Sequence, residues 1–326
     1  MFKIPSKIRH AALFAAASIM VSSAASAQEQ LSIGTSSSGS GPYINGATIS
    51  EVFNNAQDKY KLSVQTTGGY RDNLGLVLNS ELDIALNTLI DLEFAYNKRN
   101  DFANIPIADE FKNLRQLFIF SVVPENVFVR EDSGITSLEG IKGHAINLNT
   151  PSSFTYGLNL ELLKAAGLST DDIKAGTVST GQVFDEIRNG VFDGGMHVFQ
   201  VGLANAQQLS STVPMRYLNL DPEVIERLNE VYYDLLVPFE VPAGTYRGQD
   251  EPVSTFGLAQ VIYTDAEADE DMIYEFTKAF WENLQALGES NTSFKGLTVE
   301  LGAQKRTVPM HPGAERYFKE IGALAD

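Results

Sequence analysis

The sequence predicts an α/β protein of two lobes with a cleft between them. Three observations carry that expectation. Short strand-like runs alternate with polar loops and helical patterns, which argues for parallel α/β sheets. A long extended stretch, LRQLFIFSVVPENVFVRED (114–132), separates the first three such units from the later ones. A Pro/Gly-rich and then strand-like stretch, VPAGTYRGQDEPVSTFGLAQVIYT (241–264), has the make-up of a return crossing.

The units follow in order. LSIGT (31–35) leads through SSSGSG into the helical PYINGATISEVFNNA (42–56). KLSVQTT (61–67) passes Gly68 and Gly69 into YRDNLGLVLNSEL (70–82), and DIALN (83–87) passes TLI into DLEFAYNKR (91–99). Beyond the extended stretch, HAINLN (144–149) passes TPSS into FTYGLNLELLKAAG (154–167), and DGGMHVF (193–199) leads into QVGLANAQQLSS (200–211). EADEDMIYEFTKAFWENLQALG (267–288) has an acidic start and apolar residues at helical spacing, so it reads as a packing helix with Trp281 in the core. In HPGAERY (311–317), Pro312 suits the first turn of a docking C-terminal helix. The expected division is residues 28–122 with 245–326 in one lobe and 123–244 in the other.

Residues 1–27 stand apart. Lys3, Lys7 and Arg9 precede the short apolar run AALFAAASIMV, and Ala25-Ser26-Ala27 is an A-x-A cleavage signal. This is the pattern of a secretory signal peptide cut after Ala27, and the run is too short to span a bilayer comfortably. An exported chain without direct membrane insertion is expected. The 326 residues contain no cysteine, so an exported form must be stable on its core, and thiol chemistry is excluded. Net charge is −17, and becomes −20 without the first 27 residues, which repels phosphate backbones. No nucleic-acid partner is expected. Mean hydropathy, −0.09, is that of a globular protein.

Open α/β sheets bind ligands outside the carboxyl ends of their strands, where helix N-termini offer free N–H groups. Catalytic patterns are missing there. Gly34 and Gly39 have phosphate-loop spacing, but Ser40 and Gly41 replace the lysine and its neighbour; Ile44 occupies the last glycine's place in a dinucleotide motif. Neither a cofactor nor a metal is expected. His144 and His311 read as structural, whereas His197 ends a strand and stands where a cleft residue would.

The junctions are rich in neutral donors: Thr35, Ser36, Ser37, Ser38 and Tyr43 after the first strand; Asn73 in the second helix; Asn87 and Thr88 after the third strand; Thr150, Ser152, Ser153 and Thr155 after the fourth. Each alone could be a helix cap. Capping does not explain the run Thr35-Ser36-Ser37-Ser38. Arg71 is the fixed positive charge of these junctions. It either pairs with Asp72 at the surface or grips a carboxylate bidentately in the cleft.

From Leu31 onward the chain resembles the TAXI family of TRAP-transporter solute-binding proteins. The resemblance rests on IGTSSSGSGPYINGATISEVFN, TTGGYRDNLGLVLNSELDIAL, NLRQLFIF with VFVREDSGITSLEGIKG, VPAGTYRGQDEPVST and VPMHPGAERYFKEIG. It implies a periplasmic binding protein of type II, two hinged lobes closing on a small organic anion such as glutamate or 2-oxoglutarate. It further implies delivery to an integral membrane TRAP subunit; a monomeric chain without catalytic function is expected. Ser36-Ser37-Ser38, Tyr70-Arg71-Asp72 and Ser152-Ser153-Phe154 depart from the family pattern, so the ligand's identity does not carry over. Two other readings share the cleft: a sensing module that presents its closed state to a receptor, and a secreted enzyme with His197 as base.

Overall fold

The computed structural model describes residues 28–151, 153–304 and 308–325. The signal-peptide segment and Ser152 lie outside the described residues. Three strand–helix units open the chain: β1 (Glu29–Gly34) and α1 (Gly41–Ala56), β2 (Tyr60–Gln65) and α2 (Tyr70–Leu78), β3 (Ile84–Thr88) and α3 (Leu89–Tyr96). The extended stretch forms one strand, β4 (Leu114–Arg130). A second set follows: β5 (Ala145–Asn147) and α4 (Phe154–Ala165), β6 (Lys174–Gly176) and α5 (Thr180–Arg188), β7 (Gly194–Val198) and α6 (Ala204–Thr212). Then come β8 (Met215–Tyr217), α7 (Pro222–Val231), β9 (Leu236–Val241) and β10 (Val253–Asp265). The chain closes with α8 (Glu270–Glu282), α9 (Leu284–Ser290), α10 (Val299–Gly302) and α11 (Pro312–Glu320).

The strands run in the order β2-β1-β3-β10-β4-β7-β5-β6, with β9 beside β10 and β8 beside β4. β1, β2 and β3 are parallel, as are β5, β6 and β7. Among the described residues, only β4 and β10 belong to both sets. β4 pairs first with β10 and then with β7 and β8; β10 pairs first with β9 and then with β3. The changeover falls where Ser121 pairs with Gln260 and Pro124 with Gly257. Pro124 sits at that crossing, where the strand changes neighbours, and its carbonyl still accepts from Phe199 N–H at 3.3 Å.

The return crossing is carried by β10. Ahead of it, residues 245–252 pack against β8 and the end of β9. The Tyr246 ring stacks on Tyr217 at 4.1 Å, and Gln249 Nε2 donates to the Pro242 carbonyl at 3.0 Å. The Pro/Gly-rich stretch is a stapled turn, with Gly244 and Gly248 at positive φ, and not yet the crossing.

Burial follows from the helical stripes. One apolar layer joins α1, α8 and α11 over the first sheet, with Phe118 against Phe280 at 4.6 Å and Trp281 at 5.5 Å. Trp281 is a core residue. HPGAERY is the α8–α11 contact. His311 Nδ1 accepts from Gly313 N–H at 3.2 Å, Pro312 occupies the first turn, and Arg316 reaches Glu270 at 2.7 Å and Asp271 at 2.8 Å.

Candidate functional site

The parallel strands of each lobe point their carboxyl ends at the crossing strands. β3 ends with Thr88 opposite Gln260, whose other neighbour is Ser121; β7 ends with Val198 opposite Glu125. One short stretch of β4, Ser121–Glu125, therefore touches both strand-end edges. The helix N-termini of both lobes stand on these edges.

On the first edge, several expected residues are committed to holding the edge itself. Thr35 is fully buried and its Oγ1 donates to the Gln65 carbonyl at 2.8 Å. Asn73, also fully buried, donates to the Thr35 carbonyl at 2.9 Å, tying α2 to the end of β1. Asn87 donates to the Tyr70 carbonyl at 3.1 Å and accepts from Thr88 N–H, and Thr88 caps α3 by accepting from Asp91 N–H at 3.0 Å. Tyr70, which the sequence did not single out, donates its hydroxyl to Gln260 Oε1 at 2.7 Å and so ties this edge to the crossing strand.

Ser40 caps α1 through Tyr43 N–H, and Gly39 at φ 80 turns the loop. Ser36, Ser37, Ser38 and Tyr43 are thereby left with hydroxyls that have no side-chain hydrogen bond among the described residues. Ser37 and Ser38 are exposed, Ser36 and Tyr43 half-buried. Gly69 at φ 124 lies beside Ser36, in a conformation that favours glycine.

On the second edge, His197 is fully buried in a closed network. Its Nε2 lies 2.7 Å from Asn147 Oδ1, and its Nδ1 lies 2.9 Å from Thr180 Oγ1. Asn147 Oδ1 also accepts from Asn149 N–H, and Asn149 Nδ2 donates to Thr180 Oγ1. The consistent assignment has Nε2 carrying the proton and Nδ1 accepting from Thr180. Burial pushes the ring's pKa down to about 3. The neutral imidazole has both nitrogens engaged, with Asn147 and Thr180, and so braces this edge from within. Ser153 caps α4 and donates to the Thr150 carbonyl at 2.8 Å. Thr150 and Thr155 keep unengaged hydroxyls at half-buried positions.

Arg71 pairs with Asp101 at 3.3 Å rather than with Asp72, and its guanidinium lies 5.0 Å from the Phe102 ring centre. Asp91 is buried nearby. Burial raises its pKa while Arg71 pulls it down. The guanidinium thus already works against two carboxylates.

At the crossing itself Glu125 is fully buried, and neither carboxylate oxygen has a hydrogen-bond partner. Burial raises its pKa well above 4.5, with the backbone at Asn126 pulling the other way. A carboxyl with a raised folded-state pKa contributes stability fully below its unfolded pKa, and that contribution is lost as pH rises through the folded value. Glu125→Gln is therefore expected to match the wild type near pH 4 and to exceed it at pH 8 by about 1–3 kcal/mol. Melting temperature against pH for both proteins checks this.

The sequence missed the β6–α5 unit and with it Thr180. β6 has only three residues, but α5 opens with a capping box in which Ser179 and Gln182 bond reciprocally. That S-x-x-Q signature was the available signal. Among the described residues, no cluster of His, Cys, Asp or Glu could hold a metal ion, and no helix is long and apolar enough to cross a membrane.

Two α/β sets joined by a pair of crossing strands, with helix N-termini on both strand-end edges, define the two-lobe fold of type II periplasmic binding proteins. A TctC solute-binding protein from Polaromonas shares it at a TM-score of 0.52 and 14% identity, over 80% of this chain and 87% of that one. A probable amino-acid ABC transporter extracellular-binding protein from Bacillus subtilis gives 0.51 and 10%, over 83% and 99%. A putative periplasmic sulfonate-binding protein from Methylobacillus flagellatus gives 0.50 and 11%, over 90% and 78%. Residues 33–322 match the family model of the NMT1-like family, and the chain belongs to that family.

Proposed function

We propose that this is an exported, periplasmic solute-binding protein, cut after Ala27 and monomeric. It captures a small organic carboxylate by closing its lobes and delivers it to a TRAP-type membrane subunit, as the TAXI resemblance implies. The lobes divide at the crossing strands, near residue 122 on β4 and near Gln260 on β10. The observation that carries the reading is how the junction residues sort. Thr35, Asn73, Asn87, Thr88, Ser153 and His197 are engaged within the fold. Ser36, Ser37, Ser38 and Tyr43 on one edge, and Thr150 and Thr155 on the other, retain free hydroxyls at helix N-termini. Donors of that kind on both edges suit an anion held between them. A ligand that touches both edges favours the closed state by its extra contacts there.

A thermal-shift screen of organic acids, amino acids, sugars and cations tests the reading. A solute at 100 times its Kd adds about 2.7 kcal/mol. Stabilisation by carboxylates supports the proposal; stabilisation by sugars or cations alone overturns the ligand class. If Arg71 leaves Asp101 to meet the ligand, Arg71→Ala weakens the carboxylate about tenfold or more. Unchanged affinity in calorimetric titration removes Arg71 from the site.

A further inference from the structure

The helices α3 and α7 end in the same way, and their ends meet. After α3, Arg99 N–H donates to the Phe94 carbonyl at 2.8 Å and Lys98 N–H to the Ala95 carbonyl at 3.1 Å. After α7, Asp234 N–H donates to the Asn229 carbonyl at 3.0 Å and Tyr233 N–H to the Glu230 carbonyl at 3.4 Å. Each pair of bonds is a Schellman cap, whose left-handed position usually holds glycine. Here Lys98 (φ 52) and Tyr233 (φ 54) occupy it, and Asn100 and Asp234 are left-handed too. A bulky residue in that conformation is strained, and such strain persists where the surroundings over-determine it.

What holds the ring comes from the other set. α7 lies against α4, with the Tyr232 ring 6.1 Å from Phe154. Tyr233, the next residue, turns to the first set instead. The Arg99 guanidinium lies 3.6 Å from its ring centre, and the Phe94 ring stands perpendicular to it at 5.8 Å. The α3 cap bond ties Arg99 to Phe94, so the two grip the ring as one unit. The sheet register brings these ends together. β3 ends with Thr88 opposite Gln260 and β9 begins with Leu236 opposite Leu258, so the two strands lie end to end along β10. The contact therefore sits where the two sets abut at a crossing strand, and its groups are not the donors of the strand-end junctions.

We propose that Arg99 and Tyr233 form a clasp that sets the resting position of the two lobes. They act on solute capture as positioning residues, without touching the solute. A contact made between the lobes in one arrangement favours that arrangement by its own strength. A cation over an exposed aromatic ring is a modest interaction, so the clasp biases the lobes by about two- to fivefold and does not lock them.

Spin-label distances between Thr66→Cys and Thr177→Cys, both at exposed positions and recorded without solute, test the clasp. Arg99→Ala and Tyr233→Gly should each shift the lobe populations about two- to fivefold from the wild-type distribution. Glycine suits the left-handed position, so Tyr233→Gly removes the ring and spares the turn. Tyr233→Trp keeps an aromatic face for Arg99 and should retain the wild-type distribution. A wild-type distribution in either Arg99→Ala or Tyr233→Gly overturns the proposal, as does a Tyr233→Trp distribution that matches Tyr233→Gly. The role presupposes the lobe closure proposed above, and the thermal-shift screen of organic acids on the same variants reports on that separately. Stabilisation by a carboxylate with unmoved labels removes the clasp and leaves solute capture standing.

Discussion

Gly313→Val is expected to destabilise the protein by about 3 kcal/mol, at the upper end of overpacking costs. A Cβ at 313 would lie 2.3 Å from the Glu270 carbonyl oxygen and 2.9 Å from Tyr274 N. Both are backbone atoms of α8, so no rotamer change relieves the clash and the helices must separate. Separation also pulls the His311 cap and the Arg316 pairs with Glu270 and Asp271 out of register. Urea denaturation should show a lower midpoint with an unchanged slope. A loss under about 0.5 kcal/mol, the usual effect of a surface substitution, would contradict this packing.

His197→Ala should cost about 3–4 kcal/mol, because it opens a cavity and strips Asn147 and Thr180 of a buried partner. The pH dependence follows from the direction of its shift. The unfolded ring titrates at 6.5 and the folded ring at about 3, so folding requires the neutral form. Its contribution is complete above pH 6.5 and is lost as pH falls towards 3, at about 1.4 kcal/mol per pH unit. His197→Gln, which keeps a polar group and cannot charge, should flatten the acid limb of a stability–pH curve. An unchanged limb would mean that another group sets acid sensitivity. Glu125 acts with the opposite sign, weakening the fold as pH rises.

The architecture was legible because alternation of strands and helices is a local pattern. The strand–helix units at LSIGT, KLSVQTT and DIALN, and the packing helix around Trp281, need only periodicity and turn residues to be seen. β6 and β8 escaped because neither sits in a longer strand-like run, whereas β5, equally short, lies within HAINLN. Glycine and proline mark a stapled turn and a lobe crossing alike, so composition alone does not separate residues 242–252 from the crossing strand that follows. The site was legible only as a set of residue types. A Ser, Thr or Asn at a junction can brace the edge or face a ligand. Which of the two depends on partners far away in sequence, such as Gln65 for Thr35 and Thr180 for His197. GTSSSGSGPY shows the division within one loop: Thr35 and Ser40 build it, and Ser36 to Ser38 with Tyr43 remain available.

The central claim is that a solute draws the two strand-end edges together. The absence of cysteine allows two labels to be placed cleanly, by Thr66→Cys on the β2–α2 junction and Thr177→Cys on the β6–α5 junction, both exposed. Spin-label distances should be recorded without solute and with a saturating amount of the organic acid that stabilises the protein most. The account predicts a shift to a shorter and narrower distance distribution. A bound solute that leaves the distribution unchanged would contradict it.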